Sequence, residues 1–422
     1  MSTQKHKKFP LAAIALAALA TAALPTDAPA QTLKIGGVMV LEGAFAALGE
    51  DSRRGLELAL QEFDYSAGGR DIELILGSSD ASPDSAVRAT RKIVEQDGAP
   101  IVIGPLSGSE GIAIRDYAKT QPNTTFLNGS SAAQDTTLRE SADNFFRFST
   151  EGAQWMAGLG EYVYNEKGYR SVAVVAEDYS FPYTQVFGFL EPFCRLGGQA
   201  DQDARFYVPI GNKDYSSIIA ALPDDVDAIY VALGGADAVN FLTQYEQAGG
   251  DLPLIGGSIT VDQTVLGSKG RARDFVIGTP SAGPISDSWD DPRWQAFVDA
   301  YKTAFPDGFP SPSLFAHAYY VNTKAALLAL NEVDGDLSDG GAKFRAALAN
   351  LSFETPTGMV SLDARRNGIA DIFLTEVVEG PEGNLQNATI RVIPGVSQTL
   401  GLSYEEFIEY GPVSRENPAC NG

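Results

Sequence analysis

The chain has 422 residues, 20% of them charged, with 31 Lys and Arg against 54 Asp and Glu for a formal net charge of -23. So acidic a chain is a poor partner for nucleic acid or an anionic membrane surface, which need cationic side chains against their phosphates, and the charge favours a soluble monomer. Two histidines and two cysteines leave little with which to build a metal centre or a His-based catalytic triad, and the length asks for two cores rather than one.

Lys5, Lys7 and Lys8 precede an apolar run over 11–24, and Ala28-Pro29-Ala30 closes it as a small-x-small cleavage site, so 1–30 reads as an export signal. The run is about 14 residues against the roughly 20 that span a bilayer. The expected product is a soluble periplasmic chain starting at Gln31, with no cysteine at the cleavage point to take a lipid anchor. Losing three lysines and Asp27 takes its net charge to about -25. His6 falls in the removed segment. His317 stands alone in an Ala/Tyr-rich helical stretch and reads as a packed histidine, not a ligand.

The segment 33–40, LKIGGVMV, reads as a buried strand. A glycine-containing loop and a helix over 50–63 follow, with Leu56, Ala59, Leu60 and Phe63 at helical spacing. Strand 72–76, helix 86–96, strand 101–103, a Gly-Pro loop, a helix beginning near Ser109 and strand 125–127 continue the alternation. After 145–148 a second round runs through helix 151–166, strand 172–176, helix 182–196, strand 205–208, helix 215–222, strand 228–232, helix 236–248 and strands 254–255 and 275–278. The rhythm predicts an α/β chain of two doubly wound parallel sheets, with ligands at the carboxyl ends of the strands. Helices over 292–304, 313–330 and 343–351 have no strands between them and should pack back onto a sheet already formed. Segments 372–378 and 388–393 read as a terminal hairpin. In an oxidising compartment Cys194 and Cys420 are expected to pair, tying the C-terminal tail to the lobe that holds Cys194; two unrelated thiols are the alternative.

Six segments then stand in one order: LKIGGVMVLEGAFAALG at 33–49, GSSDASPDSAVRATRKIV at 77–94, VIGPLSGSEGIAI at 102–114, NGSSAAQDTT at 128–137, VAVVAEDYSFPY at 172–183 and TPTGMVSLDARRNG at 355–368. In these the chain resembles the type I periplasmic binding proteins of the Leu/Ile/Val-binding kind, the substrate-binding components of ABC transporters, over essentially its whole mature length. The resemblance implies two lobes joined by a three-crossover hinge near 147–150, 278–282 and 358–362. Lobe 1 is then 31–148 with 280–359, and lobe 2 is 149–279 with 360–422. It further implies a small molecule trapped between the lobes and delivered to an ABC-type inner-membrane permease, with no cofactor.

The loops after strands 101–103 and 125–127 offer hydroxyls and free helix N-terminal amides, where partial positive charge gathers without Arg or Lys. Serines there are also ordinary helix caps. The resemblance implies contacts to a ligand carboxylate from Ser107, Gly108 and Ser109 and from Ser130, Ser131 and Ala132. From the second lobe it implies an aromatic, Phe181, over the ligand's body, with core packing the alternative. Ala44 and Phe45 are expected at the cleft mouth, and Gly235, Ser258 and Asp262 on the second lobe's rim.

The sequence departs from the amino-acid binders of that family, which hold the ligand ammonium with an acidic residue after the strand matching 254–255 and a tyrosine after the preceding strand. Here those places read Gly257-Ser258-Ile259-Thr260 and Gly234-Gly235-Ala236, with Asp262 several residues late. An ammonium without its carboxylate in a closed cleft costs several kcal/mol. A ligand lacking the amino group is therefore expected, and the resemblance to relatives that keep the carboxylate loops but lose the amino clamp implies an aromatic carboxylate, with branched-chain or other amino acids, or amides and urea, as alternatives. A periplasmic ligand sensor is the alternative of another class. An enzyme is not expected, since no nucleophile-base constellation stands out.

Overall fold

The computed structural model describes residues 1–7, 32–268, 270 and 275–420; the apolar run over 11–24 and the Ala28-Pro29-Ala30 site lie outside them. The first sheet is formed by β1 (Leu33–Val40), β2 (Ser66–Ala67), β3 (Arg70–Ser79), β4 (Ile101–Ile103), β5 (Thr125–Leu127) and β6 (Phe145–Phe146). Their order is β2-β3-β1-β4-β5-β6, and every pairing beyond the β2–β3 hairpin is parallel. β1 is buried along its length except at Lys34, as a strand covered on both faces must be. Helices α1 (Ala46–Glu62), α2 (Pro83–Arg91) and α3 (Gly108–Ala118) connect these strands.

The second sheet begins with β7 (Val172–Glu177), β8 (Arg205–Val208), β9 (Ala228–Ala232), β10 (Leu254–Gly256) and β11 (Pro280–Gly283). It is completed by β12 (Phe353–Thr355), β13 (Gly358–Leu362), β14 (Gly368–Glu379) and β15 (Leu385–Val396). The order is β12-β13-β14-β11-β10-β9-β7-β8, with β15 hydrogen-bonded to β14. β14 enters antiparallel to β11, so the terminal hairpin read from the sequence becomes part of this sheet.

Two expectations are corrected. The helix over 151–166 is broken into α4 (Gly152–Trp155), α5 (Leu159–Tyr162) and a π turn over Val163–Lys167. Gly158 sits at φ +80, a left-handed conformation that ends the first segment. The strand expected over 275–278 is instead a 3-10 segment at 275–276 and a turn at 277–278, where Gly278 takes φ +84, and the ladder starts only at Pro280. The remaining helices are α6 (Ser180–Arg195), α7 (Ser216–Ala221), α8 (Gly235–Gln247), α9 (Gln263–Leu266), α10 (Pro292–Ala304), α11 (Leu314–Glu332), α12 (Ala342–Asn350) and α13 (Tyr404–Ile408).

As expected, the late helices pack back: α11 lies against α1 and strands β4 and β5, and α10 against α1. His317 is buried within α11, 3.1 Å from the Thr357 hydroxyl, and burial pushes its pKa down to about 3. Cys194 and Cys420 are joined in a disulfide, with Cα atoms 5.4 Å apart.

The chain leaves the first sheet through Arg147, whose side chain is fully buried. Its guanidinium donates to Asn367 Oδ1 at 2.6 Å, Ala133 O at 2.8 Å and the Thr137 hydroxyl at 2.5 Å. Its backbone bridges Asn367, so two passages of the chain run side by side there. No helix among the described residues is long and apolar enough to cross a membrane.

Candidate functional site

The carboxyl ends of both sets of parallel strands face one another, and the loops that follow them close a crevice. Its first wall is Phe45 and Leu48 after β1, Leu106 and Gly108 after β4, Ser130 after β5, and Phe315 at the start of α11. Opposite stand Trp155 of α4, Tyr179 and Phe181 after β7, and Ile259 after β10. Phe181 meets Trp155 edge-on at 5.6 Å and Tyr179 at 6.2 Å, while Phe45 reaches across to Tyr179 at 6.4 Å. Among the described residues no lysine or arginine lines this crevice. Its free space is about 10 Å³, roughly the room one water needs, so a solute enters only as the lobes part.

Two larger grooves lie elsewhere. One of about 750 Å³ runs between α1, α10, α11 and β12, and one of about 660 Å³ between α5, α6, β15 and the C-terminal tail. Both are bounded by lateral helix faces. Neither receives the strand-end loops, where helix amides and loop hydroxyls converge.

Of the residues singled out in the sequence, Phe45, Gly108, Ser130 and Phe181 line the crevice. Ala44, Ser109 and Gly235 meet across its rim. The Ser109 hydroxyl is 3.1 Å from that of Ser180, and a Cβ on Gly235 would lie 3.0 Å from Ala44 O and 2.9 Å from Leu48. Gly108 is tighter still, since a Cβ there would stand 2.8 Å from Phe181 Cβ.

The others serve the frame. Ser107 caps α3 in a reciprocal box with Glu110 and donates its hydroxyl to Ala81 O at 3.2 Å. Ser131 N donates to Pro105 O at 3.2 Å, and Ala132 O accepts from Gly152 N at 2.9 Å. The Ser258 hydroxyl takes a hydrogen bond from Gln185 at 2.7 Å. Asp262 caps α9 through Thr264 N at 3.0 Å and accepts from Leu314 N, the first amide of α11, at 2.8 Å. Both Asp262 oxygens are thus engaged.

Leu48, Leu106, Tyr179 and Ile259 lie in the strand-end loops 41–48, 104–109, 177–181 and 257–262 that the sequence marks as cleft walls, whereas nothing in the sequence marks Trp155 or Phe315. Tyr179 carried a signal, sitting two residues before Phe181 in the same strand-end loop. Trp155 and Phe315 lie on helices far from any strand-end motif, and only the packing of the lobes brings them in.

Three buried acids stand on the segments that supply the crevice walls, though none lines the crevice itself. Burial pushes Glu110 up to about 7, against the hydrogen bond its carboxylate takes from the Ser107 amide, and pushes Asp262 likewise to about 7. Glu177, at the end of β7, lies well above the usual carboxylate range for the same reason; one oxygen accepts from Gly234 N at 3.0 Å. Its other oxygen is buried without a hydrogen-bond partner among the described residues. Protonation of these groups removes negative charge that would repel an anion at the start of α3. No cluster of three or more metal-ligating side chains occurs among the described residues.

A family model for periplasmic binding protein matches residues 32–382. The chain is 25% identical over 338 residues to Leu/Ile/Val-binding protein homolog 7 of Brucella abortus, covering 77% of this chain and 82% of that protein. An ABC transporter substrate-binding protein from Sphaerobacter thermophilus is 26% identical, with a TM-score of 0.77 over 86% of this chain and 98% of its own. A solute binding protein of a Rhodopseudomonas palustris ABC transporter, solved with benzoate, shares the fold with a TM-score of 0.79 at 24% identity, covering 87% of this chain and 98% of its own.

Proposed function

The chain belongs to the periplasmic binding protein family, and from that premise we propose that it captures a small aromatic carboxylate in the periplasm for an ABC importer. It works as a monomer, closes its lobes on the solute and hands it chemically unaltered to an inner-membrane permease. The first hinge crossing is assigned to 147–150; because Pro280–Gly283, Phe353–Thr355 and Gly358–Leu362 pair within the second sheet, the other two are assigned just after 283 and just before 353 in place of the expected 278–282 and 358–362, which divides the chain into lobes of 31–148 with 284–352 and 149–283 with 353–422.

The observation that carries the ligand class is the make-up of the crevice wall. Five aromatic rings, Phe45, Trp155, Tyr179, Phe181 and Phe315, converge with Leu48, Leu106 and Ile259 on a space whose polar edge is Ser130 and the first amides of α3. A flat apolar body gains by burial against such rings, and a carboxylate is drawn to the helix start. The ammonium of an amino acid finds no free acid at Asp262, whose oxygens are taken. The same fold holds benzoate in the Rhodopseudomonas palustris protein. Reversing a 99:1 preference for open lobes takes about 5.5 kcal/mol of differential contact, and contacts made only on closure supply it.

Amino-acid binding is the second reading, favoured by the spare buried oxygen of Glu177. Calorimetry and thermal shift against benzoate, 4-hydroxybenzoate, leucine, acetamide and urea separate the two. Benzoates are expected to bind and raise the melting temperature; binding by leucine alone would overturn the aromatic assignment.

A further inference from the structure

We propose that the C-terminal segment 397–420 is a strap that positions the second-lobe wall of the crevice, with Arg415 as the positioning residue. The inference rests on the crevice being the ligand site.

The strap is fixed along the whole of α6, the helix whose first turn carries Phe181. At the near end Arg415 Nε donates to Asp178 Oδ1 at 2.8 Å, and its terminal nitrogen pairs with Oδ2 of the same carboxylate. Asp178 stands immediately before Tyr179, and the Tyr183 hydroxyl also bonds it. Midway, Phe407 of α13 packs edge-on against Phe187 at 5.9 Å, and the Tyr410 hydroxyl donates to Glu191 at 2.9 Å. At the far end the disulfide joins Cys420 to Cys194, on the last turn of α6.

This matters because the start of α6 has no slack. The Phe181 backbone is so close to Gly108 across the crevice that an added Cβ would meet it at 3.0 Å. A forked Arg–carboxylate pair holds a loop in one orientation, and a strap anchored at Cys194 keeps Arg415 near Asp178 rather than free to wander. Arg415 also offsets the Asp178 charge beside a crevice meant for an anion. Removing Arg415 leaves the Asp178 charge without its partner, so it both loosens the wall and makes it more negative.

The test compares Arg415→Ala, Arg415→Lys and the paired Cys194→Ser and Cys420→Ser variant with the wild-type chain, all with the strap present. Hydrogen exchange at the amides of 179–186 is read without ligand, and benzoate and benzamide affinities by calorimetry. Arg415→Ala and the paired cysteine variant are expected to exchange faster at these amides by about three- to tenfold. Arg415→Ala should weaken benzoate by about three- to fivefold and benzamide less, and Arg415→Lys should recover part of both effects. Unchanged exchange in Arg415→Ala, or faster exchange with unaltered benzoate affinity, would overturn the strap. If neither probe binds the wild-type chain, the ligand class fails, and the exchange measurement alone decides the strap.

Discussion

Gly108→Ala adds one methyl group where the lobes touch. The new carbon would stand 2.8 Å from Phe181 Cβ, 2.9 Å from Ser180 Oγ and 3.0 Å from Phe181 N, against an ordinary contact of about 3.5–4.0 Å. Two of these three neighbours cannot swing away, being backbone or a Cβ, so the lobes must stay apart by roughly 1 Å or the loop must strain at a cost of about 1–3 kcal/mol. Gly108 has no positive φ, so alanine fits its backbone, and at a helix start it should leave the open chain unharmed or stabilise it slightly. The cost then falls on closure alone, and affinity for benzoate should drop about 5- to 150-fold. Calorimetry gives the affinity and a melting curve of the free protein gives the control. A dissociation constant within twofold of wild type would refute the closed contact as the state that binds.

Phe181→Ala should weaken benzoate about tenfold or more, by removing the ring that meets Trp155; calorimetry with unchanged affinity would take Phe181 out of the site. Arg147→Met removes the buried guanidinium that donates to Asn367 Oδ1, Ala133 O and the Thr137 hydroxyl together and should cost about 3 kcal/mol or more in urea unfolding; a loss under 1 kcal/mol contradicts this. Burial holds Glu110, Glu151 and Asp262 at about 7, above their ordinary values. The folded chain therefore keeps protons the unfolded chain has lost, and stability present at low pH declines as pH rises through 7. His317, held near 3, acts in the opposite sense only below about pH 6.5. The melting temperature should accordingly fall between pH 6.5 and 8.5, and fall less in Glu110→Gln; a rise across this window sinks the assignment.

Much of the architecture was legible because parallel strands buried on both faces announce themselves as short apolar runs. Leu33–Val40, Ile101–Ile103, Thr125–Leu127, Arg205–Val208 and Ala228–Ala232 have the bounds read from the sequence. What failed was backbone conformation: nothing in the apolar spacing of 151–166 reveals that Gly158 is left-handed, or that Gly278 delays the next strand to Pro280. In the crevice, the first strand-to-helix loop pointed to Phe45 and the family resemblance to Phe181, but for the serines and Asp262 the same chemistry fits a helix cap and an anion contact. Ser107 and Asp262 have their polar atoms committed to the frame, a distinction that rests on where a side chain turns. Trp155 and Phe315 enter the wall through contacts between segments 160 residues apart in sequence, give or take, which no local pattern encodes.

The position of β14 bears on how such a chain is made. Residues 368–379 lie inside the second sheet, between strands 358–362 and 280–283, and the first sheet is covered by helix 314–332. The first half cannot finish its core before helix 314–332 is made, nor the second before strand 368–379. If the chain is exported unfolded, as its N-terminal segment leads one to expect, it would benefit from that delay, because premature compaction would block its passage. Chains truncated before Gly368 should stay open to limited proteolysis; a resistant fragment of that length would show that folding runs ahead of synthesis.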